Sequence, residues 1–296
     1  MNTTPEGFGL GWLADHPDIR DHTLDTDSAP AGRHHSVAGL LEQVKTPKTP
    51  PAKIDLRADF SPVEDQGQLG SCTANAGAGM VEYFQRRAFG KYIDLSRLFL
   101  YKTTRDLLGV HGDTGAYLRS TMQALATFGA PPESYWPYDI KKFDEEPSAF
   151  LYTFGQDYKA EVYYRLDPPG TTGDALRDVI KEQLARQLPA MFGFTVYSSY
   201  TQSTTNGGCF PFPLPGEGRV GGHAIVACGY DDAKKITNTT NGGKSTKGAF
   251  LIRNSWGPGW GEQGYGWLPY AYVEQGLAVD WWSLISASWL ETGAFN

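Results

Sequence analysis

Cys72 closes the run Pro62-Val63-Glu64-Asp65-Gln66-Gly67-Gln68-Leu69-Gly70-Ser71-Cys72, where a glycine-containing turn delivers a thiol to the start of a helical stretch, Thr73 to Phe84. A helix N-terminus exposes unpaired N–H groups and the positive end of the macrodipole, and both favour a thiolate over a thiol. Gln66, six residues earlier, can fold its amide back beside the sulfur. A thiolate next to an amide donor is half of an acyl-transfer site. The other half is a base and a group that orients it. Both residue types stand far downstream. Gly221-Gly222-His223-Ala224-Ile225-Val226-Ala227-Cys228-Gly229-Tyr230 reads as a strand with His223 at its entrance. A second strand, Ala249 to Arg253, runs into Asn254-Ser255-Trp256-Gly257-Pro258-Gly259-Trp260-Gly261.

These three segments, in this order, resemble the papain-like cysteine peptidases. The resemblance covers roughly residues 53 to 270. It implies an α+β, papain-like two-lobe fold: a helical lobe bearing Cys72, a β-barrel-like lobe bearing His223 and Asn254, and a cleft between them. It implies a cysteine endopeptidase that hydrolyses peptide or protein substrates through a thioester acyl-enzyme, with no cofactor and no metal. In that chemistry Cys72 is the nucleophile and His223 the proton carrier. Asn254 accepts a hydrogen bond from the second ring nitrogen, and the Trp256 indole shields that contact from water. Gln66 and the backbone N–H of Cys72 form the oxyanion hole. A free thiol has a pKa of about 8.5, whereas a helix N-terminus and an imidazolium lower it to roughly 3.5–7.5.

Taken singly, each residue has an ordinary reading: a buried structural cysteine, a satisfied histidine, a turn asparagine, a loop-anchoring glutamine. Their co-occurrence favours the chemical one. Among substrate-binding residues, Gly115 in Asp113-Thr114-Gly115-Ala116-Tyr117 resembles the segment whose backbone pairs with an extended substrate. Gly222, Ala224 and Trp256 complete the set, Ala224 standing at a position that lines the main side-chain pocket. Tyr117, Leu118 and Phe194 are candidate apolar walls. The expected preference is a bulky apolar residue two positions before the cleaved bond. Two residues depart from the family pattern, Thr73 after the nucleophile and Leu69 where a bridging cysteine is usual. Cys72 and Asn254 are also 182 positions apart, against roughly 130–150 in the family. The excess falls around 200–220 and 234–248.

Composition narrows the partners. The 296 residues carry a net charge of −7 with only 20% charged side chains, which argues against nucleic acid or an anionic membrane. No apolar run approaches the roughly 18 residues of a membrane span. Of three cysteines, Cys228 faces away from His223, five positions on in the same strand. Cys209 sits in a loop, and a bridge between these two stays open. Few cysteines and no signal-peptide pattern favour a reducing, cytoplasmic setting, although secretion stays open. His111 and Asp113 are too few for a metal site.

Residues 1–51 look unlike the rest. Lys45-Thr46-Pro47-Lys48-Thr49-Pro50-Pro51 reads as an extended linker, and Leu10, Trp12, Leu13, Leu40, Leu41 and Val44 as apolar anchors. This segment is expected to be a short pro-segment that inhibits the enzyme, making the chain a zymogen. The peptidase domain then spans 52–296, with a helical lobe over about 52–157 and a β-rich lobe over about 158–296. A helix is expected over Leu118 to Phe128 with Gly129 as its cap, and another over Asp174 to Arg186. Two rivals remain on sequence alone: a peptide ligase or transamidase using the same Cys–His pair, and a non-catalytic papain-like binding module. The oligomeric state cannot be read from the sequence.

Overall fold

The computed structural model describes residues 3–29, 35–160, 162–240 and 243–295. In chain order the main elements are β1 (Trp12–Leu13), α1 (Val37–Leu41), β2 (Lys53–Asp55), α2 (Cys72–Phe89), α3 (Arg97–Leu108), β3 (Ala116–Tyr117), α4 (Leu118–Thr127), α5 (Ala149–Gly155), β4 (Val162–Arg165), α6 (Gly173–Ala185), β5 (Ala190–Tyr197), β6 (Arg219–Thr237), β7 (Ser245–Arg253), β8 (Tyr265–Pro269), α7 (Ala271–Glu274), β9 (Ala278–Ile285) and α8 (Ala287–Leu290). Helices α2 to α5 form one lobe, and a largely antiparallel sheet ordered β4-β9-β5-β6-β7-β8 forms the other. The α+β two-lobe expectation holds.

Helix α2 is the axis of the helical lobe. Its residues from Cys72 to Phe84 are all buried, and its small residues explain how one helix can be covered on every side. A Cβ on Gly77 would lie 3.1 Å from Leu125, and one on Gly79 would lie 2.7 Å from the Arg253 guanidinium. Gly90 ends the helix in the left-handed conformation, its N–H donating to the Arg86 carbonyl. Helix α3 was not legible as an apolar stripe because its buried face carries charge. Arg97 pairs with Glu133 at 2.9 Å and Arg105 with Asp144 at 2.6 Å. Ser96 caps it by accepting from the Phe99 N–H. Helix α4 ends at Thr127, with Phe128 as its cap and Gly129 at φ +66° just beyond.

The β lobe is organised by β6, which is 19 residues long. Its first half pairs with β5, placing Phe194 opposite His223, and its second half forms a long hairpin with β7. That hairpin accommodates the chain expected as an insertion over 234–248; part of its tip, 241–242, lies outside the described residues. Strand β2, read with the helical lobe, pairs with β6 through Ile54 and Tyr230. The C-terminus makes the reverse crossing: Trp289 of α8 stacks on Phe84 of α2 at 4.9 Å. All three cysteines are free and buried, so Cys209 and Cys228 are not bridged.

Glu82 of α2 sits at the seam between the lobes, accepting from Ser61 Oγ at 2.5 Å and from the Leu95 N–H at 3.0 Å. Burial pushes its carboxyl from 4.5 up to about 7, against the pull of Arg253. The folded protein therefore binds the proton that the unfolded chain releases between these values. This stabilisation is complete below about pH 4.5 and is lost as pH rises through 7, roughly 3 kcal/mol in all. Glu82→Gln, which keeps the shape without the ionisation, is expected to flatten that part of the stability–pH curve. Urea midpoints measured from pH 4.5 to 8 check it; an unchanged slope contradicts the assignment.

The segment before the linker wraps the body. From the site outward, Asp15 and Asp21 pair with Arg119, and Arg165 donates its N–H to the His22 carbonyl. In α1 and beyond, Val37, Leu40, Leu41 and Val44 are buried. Lys45, Thr46 and 48–53 are exposed, before Tyr230 Oη anchors the Pro51 carbonyl at 2.7 Å.

Candidate active site

The start of α2 places Cys72. Ser71 Oγ, 2.5 Å from Tyr138 Oη, also takes a bond from Asn75 Nδ2, so the first turn is held from two sides. The sulfur is fully buried, and burial is the dominant influence on it, raising the thiol to about 11. Backbone N–H groups of Ala224, Gly11, Thr73 and Cys72 itself oppose that rise. Four donors aimed at one sulfur form a ready seat for a thiolate, yet here the exclusion of water wins. Ala224 follows His223, so strand β6 passes the sulfur at the residue next to the imidazole.

His223 is buried, and burial holds its pKa down at about 4, outweighing the bond to Asn254. The ring is neutral. Its Nε2 lies 2.8 Å from Asn254 Oδ1, an oxygen that also accepts from the Ser255 N–H. An acceptor on that side puts the ring proton on Nε2 and leaves the Nδ1 lone pair bare, and Nδ1 has no hydrogen-bond partner among the described residues. Trp256 stacks on His223 at 4.7 Å and 23°, and Phe194 meets its edge at 5.9 Å. These rings keep water from the His–Asn contact, where an exposed bond would weaken.

Gln66, in the loop leading into α2, is held by Ser255, the residue after Asn254. Its Oε1 accepts from Ser255 Oγ at 2.5 Å, which fixes the amide so that Nε2 faces inward. Nε2 donates to the Gly9 carbonyl at 3.0 Å and to the Leu69 carbonyl at 2.8 Å. Ser255 was not singled out in the sequence. Its place beside Asn254 was the available signal: one turn there sets the orientation of both Gln66 and His223.

Gly9 belongs to the protein's own N-terminal segment, which runs through the site. Its N–H donates to the Gly67 carbonyl at 2.8 Å, and Phe8 stacks on Trp256 at 4.7 Å. The Gly11 carbonyl accepts from the Ala116 N–H at 2.8 Å, and β1 pairs with β3 in parallel. Glycine is required at Gly11, where a Cβ would lie 1.9 Å from the Gly70 carbonyl oxygen, and at Gly115, at φ +74°, where one would lie 2.3 Å from the Gly11 carbonyl oxygen. At these two crossings only glycine fits between the backbones.

The structure joins His223 to Asn254 and Trp256 directly and Gln66 to the same turn through Ser255, and it sets the Cys72 sulfur against the backbone of Ala224, the residue after His223. Gly222 stands under Trp12: a Cβ there would be 2.5 Å from the Trp12 carbonyl oxygen. Of the proposed walls, Phe194 and Leu118 are fully buried. Asp113 Oδ1 is engaged structurally, accepting from the Gly70 N–H and Tyr101 Oη.

A two-lobed fold with a cysteine at a buried helix start in one lobe and a histidine–asparagine pair in the other defines a class of thiol hydrolase. The chain belongs to the papain family of cysteine proteases, whose family model matches residues 50–278. It is 31% identical over 292 residues to an uncharacterized peptidase C1-like protein of Acanthamoeba polyphaga mimivirus, covering 95% of this chain and 88% of that one. Chymopapain of Carica papaya is 28% identical over 221 residues, 73% of this chain and 54% of that protein. Among solved structures, xylellain, a cysteine protease from Xylella fastidiosa, superposes with a TM-score of 0.72 at 31% identity, covering 95% of this chain and 97% of that one. Digestive procathepsin L 3 of Tenebrio molitor shares the fold at 22% identity, with a TM-score of 0.60, over 89% of this chain and 77% of that one.

Proposed function

We propose that this papain-family peptidase is a zymogen whose N-terminal segment occupies the cleft, and that Cys72, His223, Asn254 and Gln66 cleave peptide bonds once the segment leaves. The observation that carries this reading is the Gln66 Nε2 bond to the Gly9 carbonyl. A backbone carbonyl of a peptide already sits on the proposed oxyanion donor, two residues before the glycine whose N–H meets the buried thiol.

With the segment gone, water reaches the sulfur and the imidazole, and the burial that holds both groups neutral is relieved. Proton transfer from Cys72 to the bare Nδ1 of His223 then gives thiolate and imidazolium. The thiolate attacks the substrate carbonyl carbon, and Gln66 Nε2 with the Cys72 N–H holds the resulting oxyanion. Imidazolium gives its proton to the amine as the C–N bond breaks, leaving a thioester. Water attacks the thioester with His223 as base, and the acid leaves as the thiol is restored. Asn254 keeps the ring in register through both proton transfers, adding no charge.

Gln66→Ala removes one donor to the oxyanion and is expected to lower kcat by roughly 100- to 1,000-fold with little change in KM. Steady-state kinetics of the activated enzyme check it. A change confined to KM would place Gln66 in binding alone. Product analysis with an added amine separates hydrolysis from transamidation, since an amine that captures the thioester appears in the product.

A further inference from the structure

Trp12 follows the residue that crosses the sulfur, and its side chain enters a pocket behind Gly222 and Gly193. The room is made by missing side chains: a Cβ on Gly193 would fall 1.8 Å from Trp12 Cε2, and one on Gly222 would fall 2.9 Å from Cε3. The floor is not apolar. Asp280 of β9, itself 0% exposed, accepts from Trp12 Nε1 through Oδ2 at 3.1 Å. Its other oxygen accepts from Trp282 Nε1 at 2.7 Å and pairs with Arg165 at 3.2 Å.

We propose that Asp280 sets the side-chain selectivity of the cleft: the pocket vacated by Trp12 takes, from peptide substrates, a flat ring bearing an N–H at its far edge, an indole. The inference rests on the peptidase reading, because it assumes that substrates cross the same cleft. Oδ1 of Asp280 is used within the protein, whereas the partner of Oδ2 departs with the segment. A buried carboxylate oxygen without a donor is costly, so a side chain that replaces the donor is favoured over one that only fills the space. This replaces the bulky apolar residue expected from the sequence with one defined by a hydrogen bond. A phenylalanine fills much of the same pocket and leaves Oδ2 bare.

The test uses the full chain and does not require turnover. In Gly11→Leu/Trp12→Ala the leucine lifts the segment, since a Cβ at Gly11 would sit 1.9 Å from the Gly70 carbonyl oxygen, and the pocket is emptied; a peptide with the sequence of residues 8–14 is then added before alkylation of Cys72 by iodoacetamide. That peptide is expected to protect Cys72 at a concentration at least tenfold lower than the same peptide carrying 1-methyltryptophan, which keeps the ring and loses the N–H. In the same variant carrying Asp280→Asn the preference should shrink. One amide oxygen cannot serve two indoles as two carboxylate oxygens do. A parallel arm needs no peptide: Trp12→Phe and Asp280→Asn in the full chain should each speed alkylation, and the double variant should not exceed the faster single one. Equal protection by both peptides, protection by neither, or additive effects of the two substitutions overturns the inference. None of these outcomes bears on whether Cys72 hydrolyses peptides, which turnover measures separately.

Discussion

Cys72→Ala is expected to lower peptide hydrolysis by roughly a millionfold while leaving the fold intact. The sulfur forms the bond on which every later step depends, so the oxyanion donors and the His–Asn pair cannot compensate for its loss. Stability should change little. The site is a fully buried position at a helix start, Ala is a good helix former, and only one atom is removed. Activity toward a protein substrate, with circular dichroism as the fold control, checks this. Retained turnover would move the nucleophile elsewhere. Cys209 and Cys228 are the other thiols, and neither is placed for the role: Cys228 Sγ is turned toward the Leu251 carbonyl at 3.5 Å, and Cys209 lies beyond the site beside β8.

Gly11→Leu is expected to have the second largest effect, in the opposite direction. A Cβ at this position would sit 1.9 Å from the Gly70 carbonyl oxygen, and neither backbone can yield, because Gly70 leads directly into Cys72 and α2. The segment must lift. Cys72 then loses the cover that holds its thiol at about 11, and a value within the usual range of activated cysteines, roughly 3.5–7.5, becomes accessible. Alkylation at pH 7 should accelerate several thousandfold, because the thiolate fraction rises from about one in 10,000 to about a quarter or more. Mass-spectrometric labelling of the full-length variant and wild type checks it. An unchanged rate would mean that the segment does not control the thiol.

The legible and illegible parts of this molecule differ for physical reasons. Cys72, His223, Asn254 and Gln66 could be read because their chemistry restricts the residues around them: a turn needs glycine, a helix start needs small residues, and an indole must lie over the imidazole. The α2 helix was legible from its small residues. Helix α3 was not, because Arg97, Lys102 and Arg105 are buried by pairing with acidic residues rather than by an apolar stripe. Strand β2 and helix α8 cross between lobes, a tertiary choice that leaves no local trace in the sequence. The apolar residues Leu10 and Trp12 were visible as anchors, but not what they would meet. Asp280 could not be found at all: a lone aspartate in an aromatic strand becomes informative only once the Trp12 indole is seen above it.

The measurement that tests the central claim most directly is the pH dependence of Cys72 alkylation in the full-length protein, compared with the same protein after cleavage within the exposed stretch around Thr46 to Pro50. The covered thiol should react slowly up to the region of pH 11, as burial dictates, while the cleaved form should show a plateau reached well below pH 8, the mark of a thiolate–imidazolium pair. Superimposable curves, with the N-terminus intact in one sample and gone in the other, would contradict control of Cys72 by the segment.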